Sequence, residues 1–242
     1  MLIFQFYRHI LTKIISFIII ILTKKKRKGN VIMDIKHIIF DLDGTLWNTT
    51  ELSAMAYNRA LQKDGRSALH ITPDVIKQEF GKTISTIADE LFPEFDKDTR
   101  NELMDQCDCF NTVCLDEADC DMLYPGVRET LEQLSQYCRL YIVSNCQSGY
   151  IEMFLKKYGL EPYITDMECF GNNGKNKAEN ISLLMERNGI QKAVYVGDTA
   201  GDYDSATMAG IPFIFASYGY GNIKQSAHSI SHISELVDFV AQ

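Results

Sequence analysis

The stretch from His37 to Trp47 constrains the fold of this chain more than any other segment. An apolar run, His37–Phe40, leads directly into Asp41 and Asp43, which flank one leucine and precede Gly44. Such a run is typical of a strand buried on both faces, and open parallel sheets carry their active sites at the carboxyl ends of such strands. Residues i and i+2 of an extended chain share a face, so the two carboxylates repel each other unless a cation or a shared proton holds them. The stretch therefore predicts a functional site.

Length and charge narrow the class of protein. A chain of 242 residues can form one large core, or a core with a small inserted domain. Residues 1–30 hold seven basic residues and no acidic one, so the net charge of −8 leaves −15 on the rest of the chain. Such a strongly negative charge on residues 31–242 disfavours nucleic acid as a partner. It suits a protein that uses metal cations at its site.

The seven cysteines are an odd number scattered through predicted helices and strand ends, so we do not expect a disulfide framework. Four of them cluster without the paired spacing of a zinc site and without a neighbouring histidine: Cys107, Cys109, Cys114 and Cys120. A metal site in this cluster is the alternative to reduced thiols, which are the expectation for a cytoplasmic protein.

Residues 1–32 form an apolar and basic N-terminal extension that has three interpretations. Its uninterrupted apolar run, Ile14–Leu22, is shorter than the roughly 20 residues that span a bilayer. In the first interpretation the extension is not native or is removed, and Met33 is the true start. In the second, residues 1–23 anchor the chain to a membrane, and the basic run Lys24–Lys28 keeps the following domain on the cytoplasmic side. In the third it is a helix of the fold. We expect a cytoplasmic protein, with membrane contact only if this segment belongs to it.

The rest of the chain alternates predicted strands and helices, apart from one purely helical segment at residues 49–122. Such alternation predicts a parallel sheet with right-handed crossovers. We therefore expect an α/β fold with a Rossmann-like parallel sheet core, formed by residues 33–48 and 123–242, and residues 49–122 inserted as an all-helical cap. Residues 171–174, which contain two glycines, are expected to form a flexible loop.

Polar side chains stand where three of the predicted strands end, and one helix begins with a lysine. The carboxyl ends of parallel strands meet at one edge of the sheet, so these side chains should converge. Carboxylates with a lysine and a hydroxyl suit a Mg²⁺ site that handles a phosphoryl group. The residues are Asp41, Asp43, Ser144, Asn145, Lys177, Asp198 and Asp202.

This set of motifs resembles the haloacid dehalogenase-like hydrolase superfamily, within its phosphoglycolate phosphatase-like and β-phosphoglucomutase-like branch. The resemblance covers about residues 35–242, and all four family motifs occur in order at the expected distances. The resemblance implies that Asp41 is the nucleophile and forms an aspartyl-phosphate. It also implies that Asp43 protonates the leaving oxygen and then acts as a base on the hydrolytic water.

Phosphate binding and substrate contact also follow from the resemblance. Ser144 would donate to the phosphoryl oxygens with help from the amide of Asn145, and Lys177 would offset the negative charge. Lys177 is favoured over Lys175 because it begins the following helix, as such lysines do in similar proteins. Lys82 is a candidate substrate contact, with a solvated lysine as the alternative.

The same resemblance implies a Mg²⁺ site. Its ligands would be the carboxylate of Asp41, the carbonyl of Asp43 and the carboxylate of Asp198. Asp202 is either a further metal ligand or a residue that orients a water or the lysine. Asn48 departs from the family pattern, because many phosphatases of this branch have an acid at that position.

The acid at Asp43 favours phosphate ester hydrolysis or phosphoryl transfer over dehalogenation, because a halide leaving group needs no proton. The resemblance thus implies a Mg²⁺-dependent phosphatase that hydrolyses a small phosphate monoester, either phosphoglycolate-like or sugar-phosphate-like. The expected partner is a small phosphorylated metabolite. A β-phosphoglucomutase-like sugar phosphomutase is the alternative enzyme, and a non-catalytic binding protein on the same fold is the alternative of another class.

Overall fold

The computed structural model describes residues 35–223 and 228–240, which belong to one compact unit. The N-terminal extension of residues 1–32 lies outside the described residues, so its three interpretations stay open. Within the described part of the chain, no helix is both long enough and apolar enough to cross a membrane.

Six parallel strands form one sheet in the order β3-β2-β1-β4-β5-β6. This arrangement confirms the predicted α/β class with a parallel sheet. The order reverses between β1 and β4, and the carboxyl ends at such a switch point form the crevice in which this kind of sheet binds ligands. The strands are β1 (His37–Phe40), β2 (Arg139–Ser144), β3 (Ile164–Cys169), β4 (Val194–Gly197), β5 (Phe213–Ala216) and β6 (Ser229–Ile230).

Helices cover both faces of this sheet and also fill the segment between β1 and β2. Along β1, Ile38, Ile39 and Phe40 are fully buried, which explains its unbroken apolar sequence. The helices are α1 (Thr50–Asp64), α2 (Pro73–Glu79), α3 (Ile84–Leu91), α4 (Lys97–Glu117), α5 (Val127–Ser135), α6 (Tyr150–Tyr158), α7 (Phe170–Asn173), α8 (Lys177–Arg187), α9 (Ala200–Met208) and α10 (Leu236–Val240).

The segment of residues 50–117, here called the helical insertion, consists of α1 to α4. Its helices bury apolar residues against one another and have a hydrophobic cluster of their own. Side-chain oxygens of Thr72, Thr83 and Asp96 accept hydrogen bonds from backbone amides at the starts of α2, α3 and α4. The insertion is therefore stabilised by packing and capping within itself.

Two chain segments connect the insertion to the sheet, and they are paired with each other. Trp47 and Leu123 form an antiparallel bridge. The amide of Asn48 donates to the carbonyl of Met122 at 2.8 Å, and the amide of Tyr124 donates to the carbonyl of Leu46 at 3.1 Å. These residues form a short two-stranded connection, called the paired linker below.

Residues 171–174 differ from the expectation of a flexible loop. They continue from β3 into the single helical turn α7, which the amide of Gly174 closes by donating to the carbonyl of Phe170 at 2.8 Å. The side chain of Asn172 also donates to Glu168 at 2.9 Å. The prediction was wrong because these local bonds outweigh the low helix propensity of glycine. None of the seven cysteines, which all lie in the described residues, forms a disulfide bond.

Candidate active site

The carboxyl ends of β1, β2 and β4 bring the predicted polar residues together. Asp41 follows β1, and its amide donates to the carbonyl of Val196 in β4 at 2.8 Å. Ser144 is the last residue of β2, and Asp198 directly follows β4. All three side chains are buried. The switch point of the sheet therefore holds a cluster of carboxylates, as the sequence predicted.

Lys177 lies between two of these carboxylates. Its Nζ donates to Oδ1 of Asp41 at 2.8 Å and to Oδ1 of Asp202 at 2.6 Å, and no more than 2% of any of the three side chains is exposed. Burial acts to lower the pKa of Lys177, but the charges of Asp202 and Asp41 outweigh it and raise that pKa well above its usual range. The lysine is therefore a fixed cation at the centre of the cluster.

Local sequence explains why Lys177 is placed so firmly. It is the first residue of α8, where Asn176 and Glu179 form a capping box with each other's backbone amides. Asp202 forms a second capping box with Thr199 at the start of α9. Its Oδ2 accepts from the amide and hydroxyl of Thr199 at 2.9 and 2.7 Å, while Oδ1 accepts from Lys177. Both oxygens of Asp202 are thus engaged within the protein.

Asp198 is enclosed by backbone and by glycines. The amide of Tyr220 donates to its Oδ2 at 2.6 Å, and the hydroxyl of Thr45 donates to its Oδ1 at 3.3 Å. A Cβ at Gly44 or at Gly219 would overlap the side chain of Asp198. Gly44 also has a φ of +84°, a conformation that favours glycine. Only residues without side chains fit these two positions.

The donor set fits a hard divalent cation. Asp41, Asp198 and Asp202 each offer an oxygen, and these atoms lie within 4.8 Å of one another. When all three carboxylates are ionised, the one buried lysine compensates one of them and leaves two negative charges. Burial raises the pKa of Asp198 above its usual range, and the charges of Asp202 and Asp41 add to the effect. An ion such as Mg²⁺, which prefers carboxylate oxygens, would neutralise this excess.

Asp43 lies beside this cluster in a different environment. Its Oδ1 accepts from the hydroxyl of Tyr150 at 3.1 Å and from that of Thr49 at 3.3 Å. Burial raises the pKa of Asp43 to about 6, although the bonds from Tyr150 and Thr49 act to lower it. Burial raises the pKa of Asp41 to about 7 as well, with Asp202 adding to the shift and Lys177 opposing it. A carboxyl group whose pKa is near neutrality can both give and take a proton.

A pocket opens above these residues, between the sheet and the helical insertion. Asp41, Asp43, Ser144 and Asn145 line its lower part, called here the core end. Asn145 also donates from Nδ2 to the carbonyl of Gly81 in the insertion at 2.8 Å. The side chain of this residue therefore joins the two parts of the protein.

The upper part of the pocket, called here the insertion end, contains Lys82. Its Nζ donates to Glu79 at 3.0 Å and to Glu90 at 2.6 Å. Lys82, the candidate substrate contact, lines the pocket, but two carboxylates already neutralise it. The other polar side chains of the insertion end are Tyr57, Asp108 and Asn111.

Sequence reasoning missed several residues of the site. Tyr150 holds Asp43, Tyr220 holds Asp198 through its amide, and Tyr57 donates to Asp108 at 2.9 Å. The Tyr-Gly-Tyr-Gly sequence at residues 218–221 was the available signal for the Asp198 contacts. The acceptor expected of an acid at position 48 is supplied by Asn48, whose Oδ1 accepts from the hydroxyl of Thr50 at 2.8 Å.

Comparison with known proteins shows similarity to one family of hydrolases. Residues 38–216 match the family model for haloacid dehalogenase-like hydrolases. Phosphoglycolate phosphatase from Vibrio parahaemolyticus is 26% identical over 226 residues, covering 86% of this chain and 97% of that protein. The Vibrio vulnificus protein of the same name is 28% identical over 237 residues, with coverage of 86% and 96%. A crystal structure from Haemophilus somnus, described as a predicted phosphoglycolate phosphatase, has a TM-score of 0.74 at 23% identity and covers 88% of this chain and 100% of that one.

Proposed function

Because the chain belongs to the haloacid dehalogenase-like hydrolase family, we propose that it hydrolyses a small phosphate monoester through a covalent intermediate on Asp41. One observation carries the proposal. A buried carboxylate, held at 2.8 Å by a buried lysine, faces a pocket beside a second carboxyl group whose pKa is raised to about 6. This arrangement provides a nucleophile, a fixed counter-charge and a proton donor around one space.

The proposed reaction has two steps. In the first, an oxygen of Asp41 forms a bond to phosphorus, the bond from phosphorus to the leaving oxygen breaks, and Asp43 gives its proton to that oxygen. In the second, Asp43 takes a proton from water, whose oxygen attacks phosphorus and releases Asp41 and inorganic phosphate. The hydroxyls of Tyr150 and Thr49 keep the side chain of Asp43 in place during both steps.

Phosphate binding is assigned to Ser144, to the backbone amide of Asn145 and to Lys177. Ser144 and Asn145 line the core end of the pocket, and Lys177 contacts the nucleophile directly. Hydrogen-bond donors fixed in advance stabilise the charge that develops on the transferring group. Ser144 ends a buried strand and Lys177 begins a capped helix, so neither must be ordered when substrate binds.

The metal is proposed to be Mg²⁺, held by the carboxylates of Asp41 and Asp198 and by the carbonyl of Asp43. When bound, it would neutralise charge on the phosphoryl oxygens. We assign Asp202 to positioning rather than to metal binding, because Lys177 and Thr199 already engage both of its oxygens. Its role is to keep Lys177 beside Asp41.

The helical segment of residues 49–122 is proposed to act as a cap over a core formed by residues 33–48 and 123–242. The pocket is lined by residues from both parts, so a substrate bound there would be shielded from bulk water. The curated relatives are named phosphoglycolate phosphatases, which supports a small phosphorylated metabolite as substrate. Seven cysteines without a disulfide bond support a reducing compartment such as the cytoplasm.

The test is turnover of p-nitrophenyl phosphate by the purified protein with Mg²⁺. Asp41→Asn keeps the size of the side chain but removes the nucleophile, and kcat should fall at least about 10³-fold. EDTA should abolish turnover and added Mg²⁺ should restore it. Retained activity in a correctly folded Asp41→Asn protein would contradict the covalent mechanism, and full activity in EDTA would contradict the metal.

A further inference from the structure

The pocket presents two buried acceptors that lack partners, Asn111 at the insertion end and Asn145 at the core end. Asn111 is 3% exposed, and its Oδ1 has no hydrogen-bond partner. The buried Oδ1 of Asn145 also has none, and the orientation of this amide is fixed because its Nδ2 donates to Gly81. Buried polar atoms are seldom left unpaired in native proteins. Both side chains line the pocket, so a bound molecule with hydrogen-bond donors would satisfy them.

Asp108 adds a carboxylate to the same region. It is 9% exposed and lines the pocket, and the hydroxyl of Tyr57 donates to its Oδ1 at 2.9 Å. Asn111 follows three residues later on α4, so the two side chains lie on the same face of one helix. The insertion end thus offers an amide and a carboxyl group side by side.

The charges in the pocket disfavour a substrate that carries a carboxylate. Among the described residues that line it, Lys82 is the one Lys or Arg. Glu79 and Glu90 hold its Nζ at 3.0 and 2.6 Å, and Glu79 is itself buried. A carboxylate on the substrate would therefore meet a lysine that two glutamates already neutralise. Burying a charge without a partner is strongly unfavourable.

We propose that the leaving group of the substrate is an uncharged, hydroxyl-bearing chain, as in a polyol or sugar phosphate, and that Asn111, Asp108 and Asn145 bind its hydroxyls. A hydroxyl both donates and accepts, so it matches the amide of Asn111 in either orientation, whereas a carboxylate only accepts. The inference rests on the proposed function, because the phosphate is taken to bind at the core end. It separates this protein's substrate from the phosphoglycolate for which its curated relatives are named.

The first experiment compares binding of two non-hydrolysable ligands to the wild-type protein with Mg²⁺ by calorimetry. They are 3-hydroxypropylphosphonate and 3-phosphonopropanoate, which differ only in a terminal hydroxymethyl or carboxylate group. We expect the hydroxyl compound to bind about tenfold more tightly. Equal binding, or tighter binding of the carboxylate, would overturn the inference. Binding needs no turnover, so a failure of the proposed function appears separately, as absent hydrolysis of p-nitrophenyl phosphate.

Variants locate the preference within the pocket. Asn111→Leu should reduce the ratio of the two affinities about tenfold, since it replaces the amide with an apolar group of similar size. Asn101→Leu, at an exposed position on the same helix, is the matched control and should leave the ratio unchanged. The double variant Glu79→Gln and Glu90→Gln frees Lys82 and should shift the ratio about tenfold toward the carboxylate. An unchanged ratio in both the Asn111 variant and the double variant would overturn the inference.

Discussion

The two ends of the pocket differ in how their polar groups are satisfied. At the core end, Asp41, Lys177 and Asp202 bond to one another across the ends of β1, α8 and α9. At the insertion end, Asn111 has a buried oxygen without a partner. The carboxylates and the lysine are therefore in place before any substrate arrives, apart from the metal. The buried acceptors of Asn111 and, at the core end, Asn145 gain partners only when a ligand binds.

The largest expected effect comes from removing the central cation. Lys177→Met leaves Asp41 and Asp202 buried without their shared partner, which should lower the free energy of unfolding by about 3–5 kcal/mol. Urea unfolding at neutral pH measures this change. The double variant Lys177→Met with Asp202→Asn removes one of the two unpaired buried charges, so it should regain part of the lost free energy of unfolding. Equal stability of the single and double variants would show that the unpaired buried charges do not cause the loss of stability.

Gly44→Ala should lower stability less than Lys177→Met does, but it should strongly reduce turnover. An alanine there would overlap the carboxylate of Asp198, so metal affinity and kcat/KM should each fall about 10–100-fold. Calorimetric titration with Mg²⁺ and steady-state kinetics measure the two quantities. Gly65→Ala is the matched control, because Gly65 has a similar φ of +79° but no atom lies within 4 Å of the added methyl group. If both variants lose the same activity, backbone strain rather than contact with Asp198 is the cause.

At the insertion end, the expected effect is a change in how stability depends on pH. Burial raises the pKa of Asp108 to about 7 from an ordinary value of 3.8, so the folded state holds a proton that the unfolded chain releases. The resulting stabilisation is complete below about pH 4 and is lost as pH rises through 7. Asp108→Asn removes this titration and keeps an acceptor for Tyr57. Its stability relative to wild type should increase from pH 4 to pH 8, by about 1.4 kcal/mol for each unit of pKa shift.

Urea unfolding at a series of pH values checks this prediction. A constant difference between Asp108→Asn and the wild type across that range would contradict it. Because Asp41, Asp43 and Asp198 titrate in both proteins, the difference isolates the carboxyl group in the insertion.

The smallest expected effect is a shift in the pH dependence of kcat/KM, caused by a change at Tyr150. Tyr150→Phe removes a hydrogen bond that lowers the pKa of Asp43, so that pKa should rise above its value of about 6. If Asp43 must be protonated in the first step, kcat/KM falls as pH rises through this pKa, and the variant's falling limb moves to higher pH by less than about one unit. The assay needs an alkyl phosphate, because p-nitrophenolate leaves without a proton. Movement of the limb to lower pH would contradict the proposed role of Asp43.

The core end could be predicted from sequence because its residues stand at element boundaries. Asp41 and Asp198 follow strands with unbroken apolar runs, and Lys177 begins a helix with an evident cap. Strand ends in a parallel sheet converge, so position along the chain determined position in space. The family motifs then supplied the roles that remain proposals here.

The insertion end could not be predicted in the same way. Asn111 and Asp108 lie on α4, whose buried face includes polar residues, so periodicity alone does not separate the pocket side from the packed side. Tyr150 enters the site from the start of α6, and Tyr220 from the loop after β5. Helix α9 also shows little apolar periodicity, because only Asp202 and Ala206 of its nine residues are buried. These placements depend on tertiary packing.

The paired linker determines what kind of motion can open the pocket. Trp47 and Leu123 are bridged, and backbone hydrogen bonds lie on either side of them, so the two connections move as one ribbon. Such a ribbon bends more easily than it stretches, so the insertion would swing about a single axis instead of sliding over the sheet. Such a motion would break the bond from Asn145 to Gly81, worth about 0.5–1.5 kcal/mol, together with the bond from Gln147 to Thr112 and the contact between the rings of Phe80 and Tyr220. A connection that bends about one axis would return the insertion to the same position over the catalytic carboxylates after each opening.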